Sequence, residues 1–161
     1  FAACGSDDEE QPAGQTAAPA AETSPPADQP GSGSDSGNPE QPATGTTITT
    51  ADSQFGDVIF DGDERAIYYF DKEKTSESEC YGDCAVAWPP VLTDSDPSAD
   101  GGAQGRLLGT TERRDGSLQV TYDGRPLYYY VDDPAGVVLC HNVAEFGGLW
   151  LAVQPDGAPV P

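Results

Sequence analysis

An internal repeat constrains the fold of this chain more than any other feature of its sequence. Residues 58–71 align by eye with residues 120–133, and each segment holds a β-prone run, an Asp-Gly pair and a second run centred on two adjacent tyrosines. Asp-Gly between such runs is the strongest short-range signal for a β-hairpin, because both turn positions favour positive φ. A cysteine also follows the first tyrosine of each pair at the same spacing, at Cys80 and Cys140. The sequence therefore predicts two copies of one hairpin unit.

Each copy is predicted to continue into a short helical turn and a tryptophan, Trp88 or Trp150. In the first copy, Asp83 precedes the turn and can cap it. In the second copy, Asn142 and Glu145 have the spacing of a capping box. These signals favour a helical turn in both copies.

Further β-prone runs complete the prediction of the fold. Residues 106–111 and 117–122 flank another Asp-Gly pair and form a third hairpin, residues 149–153 form a last strand, and the polar residues 92–105 form a loop. We therefore expect a mostly β fold, a small antiparallel sheet or sandwich built from two pseudo-repeats of a β-hairpin plus a short helical turn. Repeat one spans residues 56–90 and repeat two residues 115–153, within a β-rich module of residues 55–161.

The first 54 residues have a different composition. Residues 5–54 contain no aromatic residue and no Lys or Arg, and consist mainly of Ala, Pro, Gly, Ser, Thr, Gln and acids. Such a stretch buries too little apolar surface to offset the entropy lost on ordering. Residues 1–54 are therefore predicted to be a lipobox remnant followed by a disordered acidic tether.

The segment that ends at Cys4 resembles the end of a bacterial lipoprotein signal peptide, although Phe1 stands where Leu is more usual. In this interpretation Cys4 carries a lipid and anchors the protein to the extracellular face of the cell membrane. No stretch approaches the ~20 consecutive apolar residues of a membrane-spanning helix. The alternative is an ordinary thiol at Cys4.

Charge limits the class of partner. The chain has 28 acids against 7 bases, a net charge of −21 at pH 7. Binding to nucleic acid requires a basic surface, so no nucleic-acid partner is expected.

The remaining cysteines leave three interpretations open. Cys80, Cys84 and Cys140 are disulfide candidates in an exported protein, and they could form a local Cys80–Cys84 bridge or a bridge from Cys140 that joins the two halves. Together with His141 they could instead hold Zn or Cu, for metal binding or electron transfer. The third interpretation is a thiol redox protein.

The aromatic runs also allow two interpretations. In a strand, Tyr68 and Phe70 point to one face, and Tyr128 and Tyr130 do the same in the second copy. These rings either fill the core or form an exposed platform, with Asp133 beside it, for an envelope polysaccharide or a protein partner.

These segments together are similar to a known family of bacterial lipoproteins, described as a secreted repeat of unknown function and marked by a Tyr-x-aromatic-x-x-Asp motif. Tyr128, Tyr130 and Asp133 match the motif outright, whereas the first copy has Glu73 in the acid position. The resemblance covers residues 56–157 and is carried by residues 80–90, 115–130 and 146–150. It implies a cell-surface lipoprotein without an established biochemical role.

No serine-nucleophile, phosphate-binding or metal-hydrolase motif is present, and the chain has one histidine. The protein is therefore not expected to be an enzyme and needs no cofactor beyond the Zn or Cu alternative. The expected function is a non-catalytic surface module that binds or scaffolds a component of the envelope.

Overall fold

The computed structural model describes residues 45–161. Cys4 and the predicted tether as far as residue 44 lie outside the described residues. The elements in chain order are β1 (Thr47–Ser53), β2 (Gly56–Asp61), β3 (Tyr68–Phe70), α1 (Asp83–Ala87), β4 (Leu92–Thr93), β5 (Ser98–Ala99), a 3₁₀ turn (Gly105–Leu107), β6 (Leu108–Glu112), β7 (Leu118–Tyr122), β8 (Arg125–Pro126), β9 (Val143–Glu145) and β10 (Gly148–Ala152). The predicted mostly β fold is confirmed.

The strands form three small sheets, with orders β2-β1-β5, β3-β10-β9 and β4-β7-β6, and β8 pairs with β7. All pairings are antiparallel except that of β1 with β5. The first strand lies where the sequence predicts tether as far as residue 54. Its β-branched threonines favour a strand, which pairs with β2 and buries Ile48. The polar composition of the region had not indicated a strand here.

Two of the three predicted Asp-Gly hairpins turn as expected. Asp123 (φ 48°) and Gly124 (φ 71°) connect β7 to β8 in a two-residue turn, and Gly116 (φ 84°) lies in the turn between β6 and β7. At the first pair the turn is longer, and positive φ falls on Glu64 (63°). There Asp61 Oδ1 accepts hydrogen bonds from the N–H groups of residues 63 and 65, which stabilises this different turn.

The second predicted helical turn is wrong. Residues 143–152 form the hairpin β9–β10, whose turn residues Phe146 (φ 52°) and Gly147 (φ 79°) both have positive φ. Asn142 is itself left-handed (φ 61°) and so cannot cap a helix. The first helical turn is present as α1, but Gly82 precedes it and Asp83 is its first residue, without a side-chain cap.

A pseudo-twofold axis relates the two repeats and passes between their tyrosine segments. Tyr68 and Tyr128 exchange both backbone hydrogen bonds, at 2.9 and 3.0 Å. Beyond that pair the repeats exchange their last segments. Ile59 of β2 donates its N–H to Val153 O, and Val120 of β7 donates to Val91 O, both at 2.8 Å. Each hairpin is therefore completed by the other repeat.

Both faces of the tyrosine segments are buried. One face packs in a core of aliphatic residues and tyrosines, formed by Ile48, Ile59, Ile67, Tyr69, Val91, Val120, Tyr122, Leu127, Tyr129 and Val153. The opposite face carries the tryptophans and the other aromatic rings. The chain thus has an aliphatic-tyrosine core and an aromatic core, one on each side of the axial pairing.

Candidate functional site

The aromatic core is built around four rings in series, Phe70, Trp150, Trp88 and Tyr130. Successive centroids lie 4.3, 4.0 and 4.8 Å apart, and the two indole planes differ by 3°. Trp88 and Trp150 hold equivalent places in the two repeats, so the axis passes between them. Trp88 Nε1 also donates to Glu145 Oε2 at 2.8 Å.

The motif tyrosines stand edge-on to this stack. The ring of Tyr68 lies 5.3 Å from that of Trp88 at 82°, and the ring of Tyr128 lies 5.3 Å from that of Trp150 at 86°. These edge-to-face contacts are the arrangement that aromatic quadrupoles favour. They orient the two phenol oxygens toward the loops that follow the tyrosine segments.

Each motif tyrosine donates its O–H to the motif acid of the other repeat. Tyr68 donates to Asp133 Oδ2, and Tyr128 donates to Glu73 Oε1 at 2.7 Å. The hydrogen bonds therefore run in opposite directions across the axis. The Tyr-x-aromatic-x-x-Asp motif encodes a reciprocal interlock between repeats, which no spacing within one copy would reveal.

Glu73 is buried and Asp133 is half-buried, and desolvation raises the pKa of each carboxyl group. Glu73 is 2% exposed; its Oε1 also accepts the N–H of Glu79 at 2.6 Å, whereas Oε2 has no hydrogen-bond partner among the described residues. Burial is also the largest cause of the raised pKa of Tyr68 and of Tyr128. The tyrosines therefore act as hydrogen-bond donors here and not as phenolates.

The buried side chain of Arg113 extends this hydrogen-bond network to the loop of repeat one. Arg113 Nη1 donates to Ser78 Oγ (2.7 Å) and to Gln119 Oε1 (2.6 Å), and Nη2 donates to Cys80 O (2.8 Å). Ser78 Oγ in turn lies 2.7 Å from the Tyr128 hydroxyl. No sequence pattern predicted a role for this arginine. Arg113 follows β6 in repeat two, and at the corresponding end of β1 in repeat one Gln54 Nε2 donates to Val138 O.

Of the predicted disulfides, the structure contains the local bridge between Cys80 and Cys84. Cys80 and Cys84 form a disulfide, which excludes the bridges predicted from either of them to Cys140. Both sulfurs of this bridge are withdrawn from metal binding, because a metal needs thiolates. Cys80 is fully buried and Cys84 is 7% exposed, which disfavours a fast thiol-exchange reaction.

Both ring nitrogens of His141 contact backbone groups of the module. Its Nδ1 accepts the N–H of Ala152 at 3.2 Å, so Nε2 carries the proton and lies 3.3 Å from Pro161 O. Within residues 45–161 no group of three or more His, Cys, Asp or Glu side chains is placed to hold a metal ion. The Zn or Cu set of Cys80, Cys84, Cys140 and His141 is therefore not assembled.

The exposed aromatic platform is wrong for three of its four rings. Tyr68 and Tyr128 are fully buried and Phe70 is 2% exposed, whereas Tyr130 is half-buried. Asp133 is partly buried. The alternative interpretation, packing in the core, holds for Tyr68, Phe70 and Tyr128.

Residues 47–92 and 109–154 each match the sequence model of a family described as a secreted repeat of unknown function. The chain belongs to this secreted-repeat family. Each family repeat begins with the first strand of a hairpin, β1 or β6, and so is longer than the repeats predicted from sequence. No curated protein and no solved structure matches the chain. Within the described part of this secreted-repeat protein, no helix is long and apolar enough to cross a bilayer.

Proposed function

We propose that this protein is a non-catalytic lipoprotein of the cell surface, anchored through Cys4, whose module binds or scaffolds a component of the envelope. The observation that carries this proposal is the reciprocal interlock of Tyr68 with Asp133 and of Tyr128 with Glu73. A catalytic acid or base must lie within hydrogen-bond reach of its substrate. The most distinctive polar groups of the family motif are instead buried against each other, which supports a structural role for the motif.

Binding would then take place on the surface of the module. Val86 is 72% exposed on α1, and Val131 is 52% exposed on a neighbouring segment that is joined to α1 by the hydrogen bond from Val131 N–H to Ala87 O (3.0 Å). Exposed large apolar side chains close together mark a contact surface more often than isolated ones do. We call these two residues the Val86/Val131 patch. The patch is close in sequence to Trp88 and Tyr130, two rings of the aromatic core.

The anchor and the tether would set how far this surface can lie from the membrane. A lipid on Cys4 would hold the chain at the membrane, and a flexible segment of about 50 residues spans on the order of 40 Å. Membership of a secreted family supports this location. The surplus of acids supports a partner that is neutral or cationic, such as an envelope polysaccharide or a protein.

The proposal is tested with the full chain in two forms. Expressed behind a lipoprotein signal peptide in bacteria fed a labelled fatty acid, the chain should take up label and stay with the membrane, and Cys4→Ser should lose the label and be released. The purified Cys4→Ser chain should co-sediment with isolated cell envelopes. Val86→Asp combined with Val131→Asp should lower the bound fraction roughly ten-fold, since charges replace apolar contacts.

Leu139→Asp is the matched control, because Leu139 is 48% exposed and lies outside the patch. It should bind envelopes as the parent does. Envelope binding that survives the patch substitutions would move the contact surface elsewhere, and absence of binding by every form would reject the binding role.

A further inference from the structure

The outer edges of β1 and β6 differ, although the hairpins β1–β2 and β6–β7 hold equivalent places in the two repeats. Along the edge of β1, Ser98 donates its N–H to Thr46 O (3.0 Å) and Asp100 donates to Ile48 O (2.8 Å), so β5 covers it. Among the described strands β6 is the last of its sheet. Thr110 and Glu112 on it are exposed.

The direction of the β6 peptide groups follows from its partner β7. Val120 donates its N–H to Val91 O and accepts from Leu127 N–H, so both of its peptide groups point away from β6. Thr110 lies opposite Val120. In an antiparallel ladder, residues that do not exchange hydrogen bonds with each other direct their peptide groups to the outside. The N–H and C=O of Thr110 therefore leave the sheet at its edge.

The alternation of a strand extends this result to the rest of β6. Gly109 and Thr111 direct their peptide groups toward β7, whereas Thr110 and Glu112 direct both N–H and C=O outward. Leu108 offers only its C=O at this edge, because its N–H donates to Gly105 O in the 3₁₀ turn. The strand contains no Lys and no Pro, the residues that commonly protect an open edge. Its β-branched threonines favour further pairing.

We propose that the edge of β6 pairs with β6 of a second copy of this chain, antiparallel, about a twofold axis at Thr110. In this register Thr110 lies opposite Thr110 of the second copy, and Leu108 lies opposite Glu112 of the second copy. The two Thr110 residues then exchange both of their hydrogen bonds, the Glu112 N–H meets the Leu108 C=O of the second copy, and no glutamate faces a glutamate. The edge is therefore self-complementary, as a twofold interface requires.

The size and charge of this contact set its strength. A five-residue edge buries much less than the ~1,200 Å² of a stable interface. Two chains of net charge −21 also repel each other unless salt screens them. Pairing should therefore be weak in dilute solution and should increase with salt and with local concentration. Confinement at a membrane would raise that concentration, and this one step rests on the proposed anchor.

Cysteine crosslinking tests both the contact and its register, in the full chain with Cys4→Ser. Directly opposed residues of a hydrogen-bonded antiparallel pair lie about 5.5 Å apart between Cα atoms, within reach of a disulfide. Under mild oxidation Thr110→Cys should form covalent dimer roughly ten-fold faster than Glu112→Cys, whose two copies would lie about 14 Å apart. Equal crosslinking at the two sites would mean random collision and would overturn the proposal.

Sedimentation of the same chain at low and high salt, without the added cysteine, measures the association itself. A reversible dimer that grows with salt is expected. Thr110→Pro removes one outward N–H without touching the β7 ladder, and it should abolish the dimer. A monomer at every concentration, or a dimer that survives Thr110→Pro, contradicts the proposal. Envelope binding by Thr110→Pro tests the proposed function separately, since the Val86/Val131 patch is unchanged.

Discussion

The two loops that follow the motif tyrosines make equivalent contacts but have different structures. In repeat one the loop carries Glu73, the Cys80–Cys84 disulfide and α1. In repeat two the equivalent loop carries Asp133 and continues into the hairpin β9–β10. Both loops nevertheless deliver a carboxylate to the tyrosine of the other repeat. Similarity is retained where the repeats meet at the axis and is lost away from it.

The same rule holds on the other face of the axial pairing. The guanidinium of Arg65 lies 3.7 Å from the ring centroid of Tyr129, and that of Arg125 lies 4.3 Å from the ring centroid of Tyr69. Each arginine belongs to one repeat and its tyrosine to the other. Much of the interface thus consists of contacts in twofold pairs, and substitutions of both members test whether they contribute equally.

The largest effect is expected from the stacked indoles. Trp88→Ala and Trp150→Ala should each lower the free energy of unfolding by about 3–5 kcal/mol, because each removes a buried ring that contacts three other aromatic rings. The two losses should agree to within about 1 kcal/mol if the axis divides the stack equally. Urea denaturation followed by far-ultraviolet circular dichroism measures both. Val86→Ala, at a 72% exposed site, is the control and should change stability by less than about 0.5 kcal/mol.

Comparison of sequence and structure explains which features were predictable. The hairpin at Asp123-Gly124 and the local bridge of Cys80 with Cys84 follow from neighbouring residues, and both are confirmed. The repeat itself was also visible, because its strands share spacing and residue type. What the sequence could not supply is the exchange of Val91 and Val153 between hairpins, since that pairing depends on contacts far apart in the chain.

The exchange also explains the main errors. Alternation along one strand left both core packing and an exposed platform open for Tyr68, Phe70, Tyr128 and Tyr130, and the structure buries the first three of these rings. The capping-box pattern at Asn142 does not start a helical turn, because Val143 pairs with Trp150 in an antiparallel hairpin. The buried Arg113 had no sequence signal, since its hydrogen bonds to Ser78 and Cys80 join residues far apart in the chain.

The tyrosine–acid interlock should give the next largest effect. Tyr68→Phe and Tyr128→Phe should each cost about 1–3 kcal/mol, because each leaves a buried carboxyl oxygen without its phenol donor. A double-mutant cycle identifies the partner. Tyr68→Phe with Asp133→Asn should be strongly non-additive, whereas Tyr68→Phe with Glu73→Gln should add. The reverse result, with coupling inside one copy of the motif, would contradict the reciprocal arrangement.

A smaller and pH-dependent effect is expected from Glu73. Because burial raises its pKa in the folded state, the folded chain binds its proton more tightly than the unfolded chain does. This contribution to stability is fully present below the unfolded-state pKa of about 4.3 and is lost as pH rises through the higher folded-state value. Glu73→Gln should therefore flatten the fall in stability over that window. Glu77→Gln, exposed in the same loop, should leave the pH profile unchanged.

The smallest effect concerns the paired arginines, and here the two repeats should differ. Arg65→Met and Arg125→Met each lose a cation–π contact, which contributes about 0.5–1 kcal/mol. Arg125 Nε additionally donates to Glu73 O at 3.0 Å, a hydrogen bond that contributes about 1 kcal/mol more. Urea denaturation should therefore rank Arg125→Met as the more destabilising change. Equal losses would mean that this hydrogen bond adds nothing, and the arginine pair would then be as symmetric in energy as it is in position.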